Sequence, residues 1–168
     1  MSFLVRAIVC VVLLAAVPFS FALAQQIPPP AGERLFLTVH TKGDQVYTCK
    51  EGVTEFAWVF KAPEAQLLDK DNKPFGKHFT GPSWEASDGS RITGKVVATA
   101  PSPDPDSIPW LLLKATAHKG RGVLSRAEYV QRVDTQGGVA PAKADKAQEG
   151  KTVRVDYKAT YIFFATKK

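Results

Sequence analysis

Apolar and polar residues alternate along most of the chain with a period of two, which is typical of β-strands. The clearest stretch runs from Thr152 to Phe164, where Val153, Val155 and Tyr157 begin a series of apolar positions separated by polar ones. Similar segments recur at short intervals, and none has the 3.6-residue period of a helix. The pattern predicts an all-β, single-domain protein, either an antiparallel β-sandwich or a closed β-barrel of about ten short strands.

Turn-forming residues mark the expected strand ends. Lys42-Gly43-Asp44 is predicted to separate two strands, and Pro63 is predicted to end the strand that contains Trp58. Ser87-Asp88-Gly89-Ser90 is predicted to form a tight hairpin turn, because Asp-Gly supplies the positive-φ positions that such a turn needs. Residues Val123 to Thr135 are expected to form one long strand.

The first 24 residues have the order of parts found in a secretory signal peptide. Arg6 precedes an unbroken apolar run from Ala7 to Val17, and Ala22-Leu23-Ala24 is a small-x-small cleavage pattern. Eleven apolar residues are too few to span a bilayer comfortably. We therefore predict a signal peptide at 1–24, an exposed proline-rich arm at 25–32, a single β domain at 33–168, no transmembrane segment after cleavage, and a secreted or periplasmic location.

The charge of the chain bears on its binding partners, and its cysteine content bears on disulfide formation. Cleavage would leave 21 basic and 16 acidic residues, a mild net charge of +5. The basic residues are interleaved with acidic ones rather than clustered, so we expect no nucleic-acid partner. Cys49 would be the only remaining cysteine. Its place in a strand favours a buried thiol, with an intermolecular disulfide or a reactive thiol as alternatives.

Several sequence blocks have a distinctive order and spacing. They are Tyr47-Thr48-Cys49, Trp58 to Ala65, Gly81 to Ala86, Asp88-Gly89-Ser90, Ile108 to Ala115, Tyr129 to Val133, and Gly137 to Pro141. Together these blocks resemble a family of exported bacterial and fungal proteins described only as domain of unknown function 3455. The resemblance covers roughly Gly32 to Phe164 and implies secretion and a single domain, but no activity.

The chain departs from that family at one point. Relatives tend to carry a second cysteine shortly after the Gly-Gly-x-Ala-Pro block, where this sequence has Lys143-Ala144-Asp145. If relatives pair that cysteine with the counterpart of Cys49, this protein lacks the disulfide.

No known catalytic signature is present, but some residues could carry chemistry. Glu85 and Asp88, with His78, could form the carboxylate pair of a secreted hydrolase. His40, His78 and His118 are far apart in sequence, and we expect no metal site and no cofactor.

A binding role is less demanding than catalysis, because an aromatic side chain needs only the right position to stack on a ligand. Gln131 and Arg132 lie on opposite faces of one strand, so one of them should point inward or line a cavity. We expect a non-catalytic binding or envelope-associated module whose ligand is a carbohydrate or a small apolar molecule. The alternatives are the hydrolase and a purely structural secreted protein. The residues expected at the ligand are Trp84, Glu85, Trp110 and Gln131.

Overall fold

A computed structural model describes residues 27–167, which form eight β-strands and two short 3-10 helices. The 3-10 helices are Val123–Arg126 and Lys146–Gln148. The strands are β1 (Glu33–Glu51), β2 (Phe56–Leu68), β3 (Pro74–Phe79), β4 (Ser83–Ala86), β5 (Arg91–Ala100), β6 (Trp110–Lys119), β7 (Tyr129–Gly137) and β8 (Thr152–Thr166).

Each strand pairs antiparallel with the next one in the sequence, and β8 pairs with β1, so the sheet closes into a barrel. The closing ladder runs from Glu33 opposite Thr166 to Thr48 opposite Thr152. The all-β prediction is confirmed, and of its two architectures the closed barrel is the one found. The barrel has eight strands rather than about ten, because two of them are longer than the sequence pattern indicated.

The turn predicted at Lys42-Gly43-Asp44 is wrong, because these residues lie in the middle of β1. Gly43 pairs with Ala65 on one side and Tyr157 on the other. A Cβ atom at Gly43 would lie 2.4 Å from the Glu64 carbonyl oxygen. The glycine is therefore required by the close approach of β2, not by a chain reversal.

The strand end predicted at Pro63 is also wrong, because β2 continues through it to Leu68. At Pro63 the strand pairs only with β1, opposite Gln45, since the β3 ladder begins at Ala65. A proline is tolerated where one side of a strand has no neighbour to receive its missing N–H.

The hairpin predicted at Ser87-Asp88-Gly89-Ser90 is confirmed between β4 and β5, with Gly89 at φ 83°.

The long strand predicted from Val123 is wrong at its start, since β7 begins only at Tyr129. Residues Val123–Arg126 instead form a 3-10 helix that places Leu124 in the core, fully buried. This helix closes one end of the barrel, which we call the closed end.

Large apolar side chains fill the closed end. Leu124 packs there with Ile92, Val130 and Phe163, all fully buried. The opposite end, which we call the open end, carries the connections β1–β2, β3–β4, β5–β6 and β7–β8.

The proline-rich arm is only partly the exposed segment that its sequence suggests. Pro28 and Pro29 are exposed, but Ile27 is buried and its carbonyl accepts a hydrogen bond from Gln131. The predicted signal peptide lies outside the described residues. Within residues 27–167, no helix has the length and apolar character needed to cross a membrane.

Candidate functional site

A cavity of about 210 Å³ lies inside the barrel toward its open end. All eight strands and the turn between β3 and β4 contribute to its wall, which is mostly apolar. The lining residues are Gln45, Phe60, Lys61, Ala62, Pro63, His78, Gly81, Pro82, Trp84, Val96, Leu111, Leu113, Arg132 and Tyr161.

Three aromatic rings border the cavity on the side of the core. His78 stacks on Trp84 with ring centroids 4.7 Å apart and planes inclined by 15°. The Tyr161 ring stands edge-on to both, with centroid distances of 5.0 Å to His78 and 5.5 Å to Trp84. Strand pairing fixes this group, because His78 and Trp84 are register partners on β3 and β4.

His78 is neutral and has one defined tautomer. Burial lowers its pKa to about 3, with a smaller opposing effect from its bond to Ser83 and a reinforcing one from Arg132. Its Nδ1 lies 2.9 Å from the Ser83 carbonyl oxygen, which can only accept. Nδ1 therefore carries the proton, and Nε2 is the acceptor of this ring.

Several polar atoms of the lining residues are buried without a hydrogen-bond partner among residues 27–167. They are Gln45 Nε2, Trp84 Nε1 and the Tyr161 hydroxyl. The three residues are at least 98% buried. Buried polar groups of folded proteins nearly always have partners, so three such groups around one cavity make it unlike an ordinary packing defect.

Arg132 brings a positive charge to the same cavity. On β7 it pairs with Leu111 of β6 and Tyr161 of β8, both of which line the cavity. Its Nε and Nη2 donate to the Pro109 carbonyl at 3.1 and 2.8 Å. None of the ion pairs found within residues 27–167 includes Arg132.

The charge of Arg132 acts on the aromatic groups around it. Burial raises the pKa of Tyr47, Tyr157 and Tyr161, and Arg132 opposes that rise in each case. The Tyr161 hydroxyl lies close enough to Tyr157 and to Arg132 for both to influence its pKa, yet within residues 27–167 neither tyrosine hydroxyl makes a hydrogen bond of normal geometry. The three tyrosines stay protonated at neutral pH and can donate.

The cavity reaches the surface beside exposed apolar residues. Phe60 on β2 is 51% exposed and Val96 on β5 is 43% exposed, although both line the cavity. Lys61 is exposed next to Phe60. A molecule that enters here would pass an apolar rim that carries one cation.

Of the residues predicted to contact a ligand, Trp84 lines the cavity and Glu85 does not. Successive side chains of a strand point to opposite faces, so Glu85 lies on the outer face of β4. There its carboxylate accepts from Arg91 Nε at 2.6 Å.

Trp110 and Gln131 are also placed away from the cavity. Leu111 and Leu113 line it, so Trp110 belongs to the outer face of β6. Gln131 pairs with Ile162 on the outer face of the β7–β8 ladder and donates from Nε2 to the Ile27 carbonyl at 2.7 Å. Of the two consecutive β7 residues Gln131 and Arg132, one does point toward a cavity, and that residue is Arg132.

The predicted catalytic set of His78, Glu85 and Asp88 does not converge. His78 lies in the lumen, Glu85 is bound to Arg91 outside, and Asp88 is held at the hairpin turn. The Asp88 carboxylate accepts from Ser90 Oγ at 2.6 Å and from the Val123 amide at 2.8 Å. These bonds lower its pKa and connect the β4–β5 hairpin to the 3-10 helix at the closed end.

The three histidines lie in three separate places. His40 is exposed on β1, His78 is in the lumen, and His118 Nε2 lies 2.8 Å from the Ala127 carbonyl. Over residues 27–167, no group of three or more His, Cys, Asp or Glu side chains is arranged to hold a metal ion.

Sequence reasoning missed Gln45 and Tyr161 as lining residues. Of the neighbours Gln131 and Arg132 it placed Gln131 at the ligand, whereas Arg132 lines the cavity. A signal existed for Tyr161, which belongs to the apolar face of β8 together with Val153 and Val155. No such signal existed for Gln45, because the predicted turn at Gly43 hid the phase of the long strand β1.

Comparison with known proteins places the chain in a family. The family model described as "Protein of unknown function (DUF3455)" matches residues 30–165, from three residues before β1 to one residue before the end of β8. No curated protein and no solved structure matches the chain. The match covers nearly all of the barrel and most of the sequence, and the chain therefore belongs to the DUF3455 family.

Proposed function

We propose that the protein binds one small organic molecule inside its barrel. The observation that carries this proposal is the lumen cavity, around which Gln45, Trp84 and Tyr161 each bury a polar atom that has no hydrogen-bond partner of normal geometry in the described part of the chain. A ligand that supplied hydrogen bonds to these atoms would remove a cost of about 1–3 kcal/mol for each of them.

The architecture also favours this function over a purely structural role. An eight-stranded barrel is wide enough either to be filled by its own side chains or to hold one small ligand. The closed end of this barrel follows the first pattern, with Leu124 and Phe163 fully buried. Toward the open end, apolar side chains are replaced by a cavity with polar groups in its wall.

The size of the cavity limits the ligand. A dry cavity of roughly 150 Å³ is enough to bind benzene, and this one measures about 210 Å³. A molecule of one ring with a short chain fits that volume, and a polymer does not. The proposal therefore favours a small amphipathic molecule over a carbohydrate chain.

We further propose that the protein is secreted or periplasmic and works after removal of residues 1–24. The support is the order of charge, apolar run and cleavage pattern in the sequence. N-terminal sequencing of the exported protein tests this proposal. A first residue of Gln25 is expected, and retention of Met1 in the cytoplasm would contradict it.

Binding inside the barrel is tested by blocking the opening of the cavity with a larger side chain. Val96→Trp places a large ring at a lining position, and Val97→Trp places the same ring at an exposed position outside the lining. Thermal unfolding is measured with indole, 3-phenylpropionamide and 3-phenylpropionate. We expect at least one probe to raise the Tm of the wild type and of Val97→Trp but not of Val96→Trp. A ligand at 100 times its Kd stabilises by about 2.7 kcal/mol. No shift with any probe, or equal shifts in both variants, would contradict lumen binding.

A further inference from the structure

We infer that the ligand of the lumen is an organic carboxylate, bound through Arg132. This inference rests on the proposed function and adds the chemical class of the ligand. The lining residues include two cations, Arg132 and Lys61, and no aspartate or glutamate. A neutral ligand would leave that unbalanced charge beside a largely apolar wall, whereas a carboxylate would neutralise it.

Arg132 has donors left for such a ligand. A guanidinium carries five N–H groups, and the two bonds to the Pro109 carbonyl use one from Nε and one from Nη2. Of the other three N–H groups, one can point to the nearby Tyr161 hydroxyl, whose pKa Arg132 lowers, and at least two are left for a ligand. The same two bonds hold the guanidinium in place, so a ligand does not have to order a free side chain.

The other polar groups of the wall are mainly donors. Trp84 Nε1 can only donate, and the protonated Tyr161 hydroxyl can donate as well. Gln45 contributes a side-chain amide. The His78 ring supplies one acceptor, at Nε2. An acceptor-rich group such as a carboxylate matches this set better than an alcohol or an amine does.

The absence of an acidic residue distinguishes this cavity from other concave places on the barrel. Four more open grooves each include a carboxylate, namely Asp156, Asp134, Glu64 and Glu85. The positive charge of the lumen is therefore not a consequence of the mildly basic composition, which puts acids and bases side by side elsewhere.

The remainder of the ligand is expected to be apolar. Trp84, Leu113, Val96 and Phe60 form much of the wall and of the rim. The expected ligand has one polar end, which meets Arg132, and a ring or short chain, which meets these side chains. Inorganic anions lack the second part and would bind weakly.

A matched pair of probes tests the class. 3-Phenylpropionate and 3-phenylpropionamide have the same ring and chain and differ in charge at one end. Their Kd values are measured by titration calorimetry with the wild type, Arg132→Gln and Lys61→Gln. We expect the wild type to prefer the acid by about tenfold or more, as charge-assisted bonds to a guanidinium would give. Arg132→Gln should abolish the preference, and Lys61→Gln, which changes the exposed cation, should largely keep it.

Each other result has a definite meaning. Equal affinity of the wild type for acid and amide would overturn the inference and leave lumen binding standing. An acid preference that persists in Arg132→Gln would overturn the role of Arg132. If neither probe binds at millimolar concentration, the proposed function fails for ligands of this size and the inference fails with it. Should Arg132→Gln not fold, Arg132→Lys retains the charge and loses the bidentate donor geometry, and a preference undiminished in that variant would also count against Arg132.

Discussion

His78 lies flat against Trp84 inside the barrel, with ring centroids 4.7 Å apart, and its Nδ1 donates to the carbonyl of Ser83. The stack joins β3 to β4 and forms the boundary between the filled end of the barrel and the cavity. It therefore serves both the stability of the barrel and the shape of the site.

The burial of His78 predicts a loss of stability in acid. In the unfolded chain this imidazole takes up a proton as the pH falls through about 6.5, whereas in the folded barrel it stays neutral until about pH 3. The unfolded state thus binds more protons between these values. Stability is then lost as the pH falls, by at most about 1.4 kcal/mol per pH unit from this group.

Chemical denaturation of the wild type and His78→Phe at several pH values isolates this contribution. Phenylalanine retains a ring beside Trp84 but cannot titrate and leaves the Ser83 carbonyl without its donor. We expect the wild type to be more stable at neutral pH by about 1–3 kcal/mol. That advantage should shrink steadily below about pH 6. A difference that is constant from neutral pH to about pH 4.5 would contradict the neutral, buried state of His78.

The close approach of β1 and β2 at Gly43 gives a second prediction. In Gly43→Ala the new Cβ would meet the Glu64 carbonyl at 2.4 Å, and backbone cannot easily move aside in a closed barrel. We expect a loss of about 2 kcal/mol or more in the free energy of unfolding. Gly89→Ala is the control, because Gly89 has open space and only a positive φ, which costs about 1–2 kcal/mol. A Gly43→Ala variant as stable as the wild type would contradict the observed register.

Substitutions of Asp88 and Glu85 should affect stability differently, because the Asp88 carboxylate holds a turn in place and the Glu85 carboxylate lies on the surface. Asp88→Asn weakens the bonds to Ser90 Oγ and the Val123 amide, so we expect a lower Tm. Glu85→Gln removes only the partly exposed ion pair with Arg91 and should change stability by less than about 1 kcal/mol. Neither should alter probe binding in the lumen. Loss of binding in folded Glu85→Gln would instead favour the sequence-based assignment of Glu85 to the ligand site.

The thiol of Cys49 should be unreactive in the folded protein. It is buried, as the sequence predicted, with Sγ 3.7 Å from the Asp145 carbonyl. Burial raises its pKa, the carboxylates of Asp145 and Glu149 add to that rise, and Lys151 opposes it. We expect slow labelling by a thiol reagent in buffer, fast labelling in denaturant, and no disulfide-linked dimer on a non-reducing gel.

A control shows that the reagent works on an accessible thiol. In a protein that lacks residues 1–24, Cys49→Ala combined with Val53→Cys leaves one thiol, which occupies a fully exposed turn position and should label at once. Rapid labelling of the native wild-type protein would show that the segment around Asp145 opens readily or that Cys49 is reactive.

The fold class and the hairpin of β4 and β5 are predictable from the sequence. Alternation along Thr152–Phe164 and the Asp88-Gly89 pair are local signals, because the period of a strand and the φ of a turn are properties of neighbouring residues. Such signals also misled where distant contacts decided the outcome. Gly43 and Pro63 read as chain breaks, yet pairing with the adjacent strands carries β1 and β2 straight through them.

The closure of the sheet and the composition of the site depend on contacts between residues that are far apart in the sequence. The ladder between β1 and β8 joins residues about 120 positions apart, as in Thr160 beside His40, and no local pattern specifies such a contact. Closure then gathers Gln45, Trp84, Arg132 and Tyr161 from four strands around one cavity. Alternation showed that Gln131 and Arg132 must face opposite ways. Which of the two faces the lumen was fixed by strand register, a property of paired strands that a single strand does not contain.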